Sequence, residues 1–186
     1  TPDYWNNNYQ DDIYFRNGEP EETNGYCTDV FFDEAISFIN KNKKNPFLCF
    51  LSLNAPHSPF NVPKEYYELY ENESDLLESQ KRFYGMISNI DDNFGRLHQH
   101  VESLGILDNT IIIFTTDNGT SNGYKYSKKD KKWLGFNAGM RGTKTSEYDG
   151  GHRVPFIIKW KKGGLFGGHN YSGLSAHVDM LPTLLS

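Results

Sequence analysis

The run Ile111-Ile-Ile-Phe-Thr-Thr-Asp-Asn-Gly119 constrains the fold more than any other stretch, because consecutive β-branched and aromatic residues stop abruptly at a carboxylate, an amide and a glycine. A continuous apolar run fits a strand covered on both faces, as parallel strands in α/β proteins are. In open α/β sheets, ligands gather where the carboxyl ends of strands emerge, which puts Asp117 and Asn118 where chemistry is usually done. Both side chains offer oxygen to a hard cation. The same Asp-Asn-Gly can also be only a turn, since these residues tolerate positive φ and bond their own backbone. By itself the stretch leaves the two readings level.

A second apolar run, Phe47 to Leu53, follows the helix breaker Pro46 and ends at Asn54-Ala-Pro-His-Ser-Pro59. Between the two runs, Ser74 can cap a long helix in which Phe83, Met86, Ile87, Ile90, Phe94, Leu97, Val101 and Leu104 keep steps of three and four, with Gly105 in the C′ position. Strand, helix, strand over 47–53, 75–104 and 111–116 predicts a right-handed crossover in a largely parallel sheet flanked by helices, hence an α/β fold. Upstream, Thr28 is a candidate N-cap for a helix to about Asn42, with Phe31, Ala35, Phe38 and Ile39 on one face. Residues 1–26 read as a loop-rich opening segment with a short strand at Ile13-Tyr14-Phe15. Downstream come a Gly-, Lys- and Tyr-rich loop to about Gly139, a third apolar strand from Val154 to Trp160, and a helix opening at Met180-Leu-Pro-Thr-Leu-Leu185. Asp91 and Asp92 fall on the polar side of the long helix and read as solvated.

A length of 186 residues suits one core, and 37% hydrophobic with 15% aromatic residues excludes a disordered chain. The net charge of -5 and the lack of a basic stripe exclude nucleic-acid binding; the cluster Lys128-Lys129-Asp130-Lys131-Lys132 reads as a solvated loop. No stretch is long enough to span a bilayer. Cys27 and Cys49 lack metal-ligand spacing, and two cysteines make no disulfide framework, though one bridge is compatible with the sequence. Both ends break off in mid-pattern, which reads as an internal piece of a larger protein.

Four residues lie after strands or in the loop before one: His57, Asp117, Asn118 and Lys144. Singly each has a dull reading, His57 as a turn residue between prolines and Lys144 as a surface cation. Together they make an oxygen-ligand cation site plus two donors suited to an anion, as hydrolysis of a phosphate or sulfate ester requires. The glycine-rich segment 139–155 would let backbone approach that anion closely.

These residues resemble the sulfatase family of the alkaline-phosphatase-like superfamily. Ile112-Ile-Phe-Thr-Thr-Asp-Asn-Gly119, preceded by Leu104-Gly-Ile-Leu-Asp-Asn-Thr110, is similar to the family's strand ending in a metal motif. Arg141-Gly-Thr-Lys144, with Asp149-Gly-Gly-His-Arg-Val-Pro155 after it, resembles the segment whose lysine contacts the sulfate. Ala55-Pro-His57, followed by Val62-Pro-Lys-Glu-Tyr66, resembles the strand exit whose histidine contacts the sulfate or the leaving oxygen; the similarity runs from about Gly25 to the end, including the helix start at Val178-Asp-Met-Leu-Pro-Thr183. The resemblance implies that residues 1–186 are the central and C-terminal part of a sulfatase catalytic domain. By the same analogy Asp117 and Asn118 bind a divalent cation, usually calcium, while His57 and Lys144 hold and polarise a small-molecule or carbohydrate sulfate ester. It further implies a periplasmic, extracellular or lysosomal location.

One departure matters. The family's nucleophile is a formylglycine made within a Cys/Ser-x-Pro/Ala-x-Arg motif, and this chain has none, since Cys27 is followed by Thr-Asp-Val and Cys49 by Phe-Leu-Ser. The nucleophile and the family's paired N-terminal aspartates are therefore expected upstream. A calcium ion takes about six to eight oxygens, so these residues alone are expected to bind it weakly and to hydrolyse nothing. Apolar runs left uncovered would favour self-association. Rival readings are a phosphodiesterase or phosphomutase of the same superfamily, disfavoured because Asn118 stands where a second transition metal would want histidine; a degenerate, non-catalytic binding module; and a plain structural domain. Tyr124, Tyr126 and Trp133 read either as rings that stack on a sugar or as cover for the core.

Overall fold

The computed structural model describes residues 7–185. In chain order the elements are β1 (Ile13–Arg16), β2 (Glu19–Glu22), α1 (Cys27–Asn42), α2 (Lys64–Glu68), α3 (Glu78–Ser103), β3 (Ile112–Thr115), β4 (Tyr124–Ser127), β5 (Lys132–Gly135), α4 (Asp149–His152), β6 (Phe156–Lys159) and α5 (Met180–Leu185). Short 3₁₀ turns precede β3 at Leu107–Asn109 and α5 at His177–Asp179.

Helix α3 is the spine. Its apolar positions bury Phe83, Met86, Ile90 and Val101, and its end follows from local chemistry. Gly105 takes φ +69° at C′; its N–H donates to the Glu102 carbonyl at 2.8 Å, and the Ile106 N–H to Val101 at 3.4 Å, the paired bonds of a Schellman stop. At the other end the N-cap is Leu77, not Ser74, because the Gln80 side chain accepts the Leu77 N–H at 2.9 Å and so satisfies one of the orphan donors of the first turn. Helix α1 starts two residues earlier than the Thr28 cap predicts: Tyr26 is the N-cap and Thr28 is fully buried.

The sheets are three antiparallel pairs, β1–β2, β3–β6 and β4–β5. The third apolar strand of the sequence is β6, which runs against β3 in the register Ile113↔Ile158 and Phe114↔Ile157. Phe114 meets Phe94 of α3 edge-on at 5.9 Å, fixing that pair to the helix. The predicted strand at 47–53 needs correcting: it is not a paired strand among the described residues. Its burial nonetheless alternates, with Phe47, Cys49, Leu51 and Leu53 half-buried and Leu48, Phe50 and Ser52 exposed, which is the period of an extended chain with one face packed. A strand also needs a ladder partner, and the described residues offer it none. For the same reason β3 is not covered on both faces: Ile112, Ile113 and Phe114 are half-buried and Thr115 is exposed.

Two further expectations change. The loop from 120 to 139 contains the β4–β5 hairpin, whose ladder pairs Tyr126 with Trp133, and the lysine cluster forms its turn. Cys27 and Cys49 are both free thiols, the first buried and the second half-buried.

The core sits where the start of α1 meets the middle of α3. Tyr9, Tyr26, Cys27, Ala55, Met86 and Ile90 are buried together, with Leu53, Phe60 and Val62 packed on them. Asp29 fastens the two helices by accepting from Asn89 at 2.9 Å and Asn93 at 2.6 Å. Burial pushes the Cys27 thiol up from 9.0 to about 12 and the Tyr9 phenol from 10.0 to about 12, and raises Tyr26 as well. Between these ordinary and raised values the unfolded chain releases protons that the folded chain retains, so stability is whole below about pH 9 and falls as pH climbs. The urea midpoint of the protein should accordingly decline from about pH 9 upward, and a midpoint level to about pH 11 would show that this cluster is open to water.

Candidate functional site

His57 stands in a loop held from beneath by the opening segment. The Tyr9 hydroxyl donates to the His57 carbonyl at 3.0 Å and to that of Asn54 at 3.4 Å; the Tyr26 hydroxyl donates to Asn61 at 3.0 Å. Ala55 beneath the loop is buried, while the His57 side chain is exposed. Its Nδ1 lies 2.9 Å from the Ser58 carbonyl. A carbonyl only accepts, so Nδ1 carries the hydrogen and Nε2 is the nitrogen left to exchange a proton.

Asp117 and Asn118 follow β3. Asn118 donates from Nδ2 to the Gly119 carbonyl at 2.9 Å, and the Thr116 hydroxyl donates to the Asn118 carbonyl at 3.2 Å. By the same logic the Asn118 amide is oriented with Oδ1 as its unengaged oxygen. Asp117 is exposed beside it. So the stretch is a bend that leaves the side-chain oxygens of Asp117 and Asn118 available.

The segments around them are pressed together backbone to backbone. Gly119 donates to the Gly151 carbonyl at 2.9 Å, Gly150 to that of Arg141 at 2.8 Å, and Lys144 to that of Thr120 at 2.9 Å. A Cβ on Gly119 would fall 1.9 Å from the Gly150 oxygen, and one on Gly150 would fall 2.0 Å from that of Gly142. No side chain fits such a gap. The glycines that the sequence suggested for approach to an anion here serve approach of one backbone to another. The half-buried Lys144 precedes Thr145, a β-branched residue at φ +75°, a conformation that costs about 1–2 kcal/mol and persists only where neighbours impose it.

The structure therefore ties the backbone of Lys144 to the strip that follows Asp117 and Asn118, through the Thr120 carbonyl. His57 joins them indirectly: Phe60 of its loop packs edge-on against Phe83 at 6.1 Å, and Tyr84, the next residue of α3, donates to the Gly123 carbonyl at 2.6 Å. His57, Asp117 and Lys144 form no ion pair with one another among the described residues. No group of three or more His, Cys, Asp or Glu able to hold a metal occurs among them either. Asp117 and Asn118 carry side-chain oxygens of the kind calcium takes.

Sequence reasoning missed three positioning residues. It dismissed the opening segment, yet Tyr9 and Tyr26 carry the His57 loop, a role that isolated tyrosines in a polar stretch do not signal. It also passed over His177, whose Nε2 donates to the Thr116 carbonyl at 3.1 Å and sets the turn before α5 beside Asp117.

Comparison with known proteins places this geometry. A sequence model of the sulfatase family matches residues 1–186. The chain belongs to that family. It is 32% identical over 181 residues to an uncharacterized sulfatase, YdeN, of Escherichia coli, covering 95% of this chain and 30% of that protein. To an ulvan-active sulfatase of Formosa agariphila it is 26% identical, covering 98% of this chain and 38% of the relative. Among solved structures, that of Ps i-CgsB in complex with k-i-k-neocarrahexaose superposes with a TM-score of 0.64 at 33% identity, over 78% of this chain and 30% of that one. The chain thus spans roughly a third of the length of these relatives, and the α/β class read from the sequence is that of its structural neighbours. None of these matches supports self-association.

The glycine contacts give a direct test. Gly119→Ala should destabilise the protein by about 1–3 kcal/mol or more, as overpacking against fixed backbone does. Gly95→Ala, in α3 where an added Cβ meets nothing within 4 Å, should stabilise by about 0.5–1 kcal/mol. Thermal melts that rank the two variants the other way round would contradict the packing described.

Proposed function

We propose that this chain carries part of the catalytic site of a sulfuric ester hydrolase acting on sulfate esters of carbohydrates or aryl alcohols. The observation that carries the reading is the hydrogen bond from the Lys144 backbone N–H to the Thr120 carbonyl, which ties the backbone of Lys144 to the strip that carries Asp117 and Asn118. Two similar proteins favour a carbohydrate ester: the Formosa relative is ulvan-active, and Ps i-CgsB was solved with an oligosaccharide. The phosphodiesterase and phosphomutase reading is weaker, because Asn118 offers an oxygen and no nitrogen to a second metal.

In this reading Asp117 and the Oδ1 of Asn118 would hold a divalent cation, calcium by the hardness of their oxygens, completed by residues outside this chain. When bound, such an ion would supply positive charge at the site, and the formylglycine that the family resemblance implies would supply the nucleophile. Lys144 adds a point charge that follows the negative charge developing on the transferred sulfuryl group. His57, with Nδ1 committed to Ser58, delivers a proton from Nε2 to the bridging oxygen as the S–O bond breaks, so that the leaving group departs as an alcohol. The net reaction consumes water and yields the alcohol and sulfate.

In the complete protein, Lys144→Ala should lower kcat about 10²–10³-fold with a much smaller change in KM, the pattern of a contact made mainly in the transition state. His57→Ala should cost more for alkyl than for nitrophenyl sulfates, because a poor leaving group depends on protonation. Steady-state kinetics on a graded series of esters reads both, and equal losses across the series would reduce His57 to a positioning group. Asn118→Ala should raise the calcium concentration needed for half-maximal activity; an unchanged requirement would remove Asn118 from the ion.

A further inference from the structure

The β4–β5 hairpin has two unlike faces. Its inner face is fastened to the start of α3: the fully buried Gln80 donates from Nε2 to the Leu134 carbonyl at 2.8 Å, Asn122 donates to Ser79 at 2.7 Å, and Lys132 pairs with Asp75 at 2.9 Å. Leu134 and Ser127 are buried there. On the outer face, by strand alternation, lie Tyr124, Tyr126 and Trp133. Trp133 stacks flat on Tyr124 at 4.8 Å and 15°, and edge-on against Tyr126 at 5.8 Å. Trp133 is 53% exposed and Tyr126 49%, so these rings do not cover the core formed by the described residues.

The hairpin is also charged against the trend of the chain. Within a protein of net charge -5 it carries Lys125, Lys128, Lys129, Lys131 and Lys132 against Asp130 alone, and the Asp130 carboxylate is engaged by the Ser127 hydroxyl at 2.6 Å. Lys128, Lys129 and Lys131, exposed in the turn, form no ion pair among the described residues. Flat rings beside unpaired ammonium groups suit a ligand with C–H faces and fixed negative charges. The base of the hairpin is continuous with the candidate site: Phe136 donates to Gly123 at 2.8 Å, Gly123 to the Thr120 hydroxyl at 2.9 Å, and Lys144 to the Thr120 carbonyl.

We propose that the outer face of this hairpin, formed by Tyr124, Tyr126 and Trp133 with the turn lysines 128, 129 and 131, is a subsite for a neighbouring sugar unit of a polysulfated oligosaccharide. The ring pair stacks on that unit and the lysines meet its sulfate groups. The inference rests on the sulfatase reading for the unit whose ester is cleaved, and on the hairpin alone for the neighbouring unit. It makes the enzyme one that prefers chains over free monosaccharides.

The test uses the complete protein and two readouts. In the first, kcat/KM is measured for 4-nitrophenyl sulfate and for a panel of sulfated hexasaccharides from galactans, fucans and glycosaminoglycans. Trp133→Ala should lower the ratio of hexasaccharide to aryl-sulfate efficiency about tenfold, equivalent to about 1.4 kcal/mol. In the second, binding of the same hexasaccharides and their desulfated counterparts to the Lys144→Ala protein is followed by calorimetry, which needs no turnover. Replacing the three turn lysines by serine should weaken the sulfated ligands only and flatten the salt dependence of their binding. An unaltered efficiency ratio, or binding unaffected by both sets of changes, overturns the proposal. So does a large fall in melting temperature for Trp133→Ala with the ratio unmoved, since the rings would then be covered by another part of the protein. Absence of all sulfatase activity with hairpin-dependent binding intact would sink the catalytic reading and leave the subsite standing.

Discussion

The first two turns of α3 decide where everything chemical in this chain goes. Gln80 is fully buried there, and its amide has one use for each end: Oε1 takes the Leu77 N–H that the helix leaves orphaned, and Nε2 holds the Leu134 carbonyl of the hairpin. Losing either bond would leave a buried backbone group unpaired, at about 1–3 kcal/mol. One helical step on, Phe83 carries the His57 loop through Phe60, and Tyr84 carries Gly123. Two segments far apart in sequence, the His57 loop and residues 123–135, are thus referred to one rigid helix. A site assembled on a helix end holds its geometry better than one assembled loop on loop.

What the sequence disclosed and what it hid divide along a physical line. Helical periodicity is a property of one segment, so α1 and α3 were legible nearly to their ends, Gly105 included. Family resemblance marked His57, Asp117, Asn118 and Lys144, and the structure ties the segments of Asp117, Asn118 and Lys144 by backbone hydrogen bonds while reaching His57 only through aromatic contacts. Strand character is different, because pairing is a relation between segments. The stretch 47–53 has the alternating burial of a strand and no ladder, and 124–135 has a ladder although its lysine-rich turn resembles a solvated loop. Tyr9, Tyr26 and His177 were illegible for a related reason: each acts by donating to a distant carbonyl, and no local pattern announces such a bond.

The glycines show how close approach is built. Three strips of backbone, 117–120, 141–146 and 149–151, lie against one another where a single methyl group would collide with a carbonyl. Interdigitating side chains could not bring these strips so near, whereas direct peptide hydrogen bonds can. The strain at Thr145 belongs to the same arrangement. Its backbone bends against its own preference immediately after Lys144, and the turn is held by the Ser146 N–H donating to Thr143 at 3.0 Å.

The orientation of the polar groups carries an argument about charge. Three side chains, those of Asn118, His57 and His177, each place a nitrogen against a backbone carbonyl, which can only accept. Their hydrogens are thereby assigned by their partners, and what remains unengaged is an oxygen on Asn118 and a proton-exchanging nitrogen on His57. The residue before Asn118 is Asp117, an exposed carboxylate. Two acceptors repel a sulfate monoanion, so on the proposed reading these residues cannot bind substrate directly. On that reading they would serve an anion only with a positive ion between, and hard oxygens would favour calcium over a metal that prefers nitrogen. On the same reading Lys144, whose backbone N–H donates to the Thr120 carbonyl, would add a second positive charge.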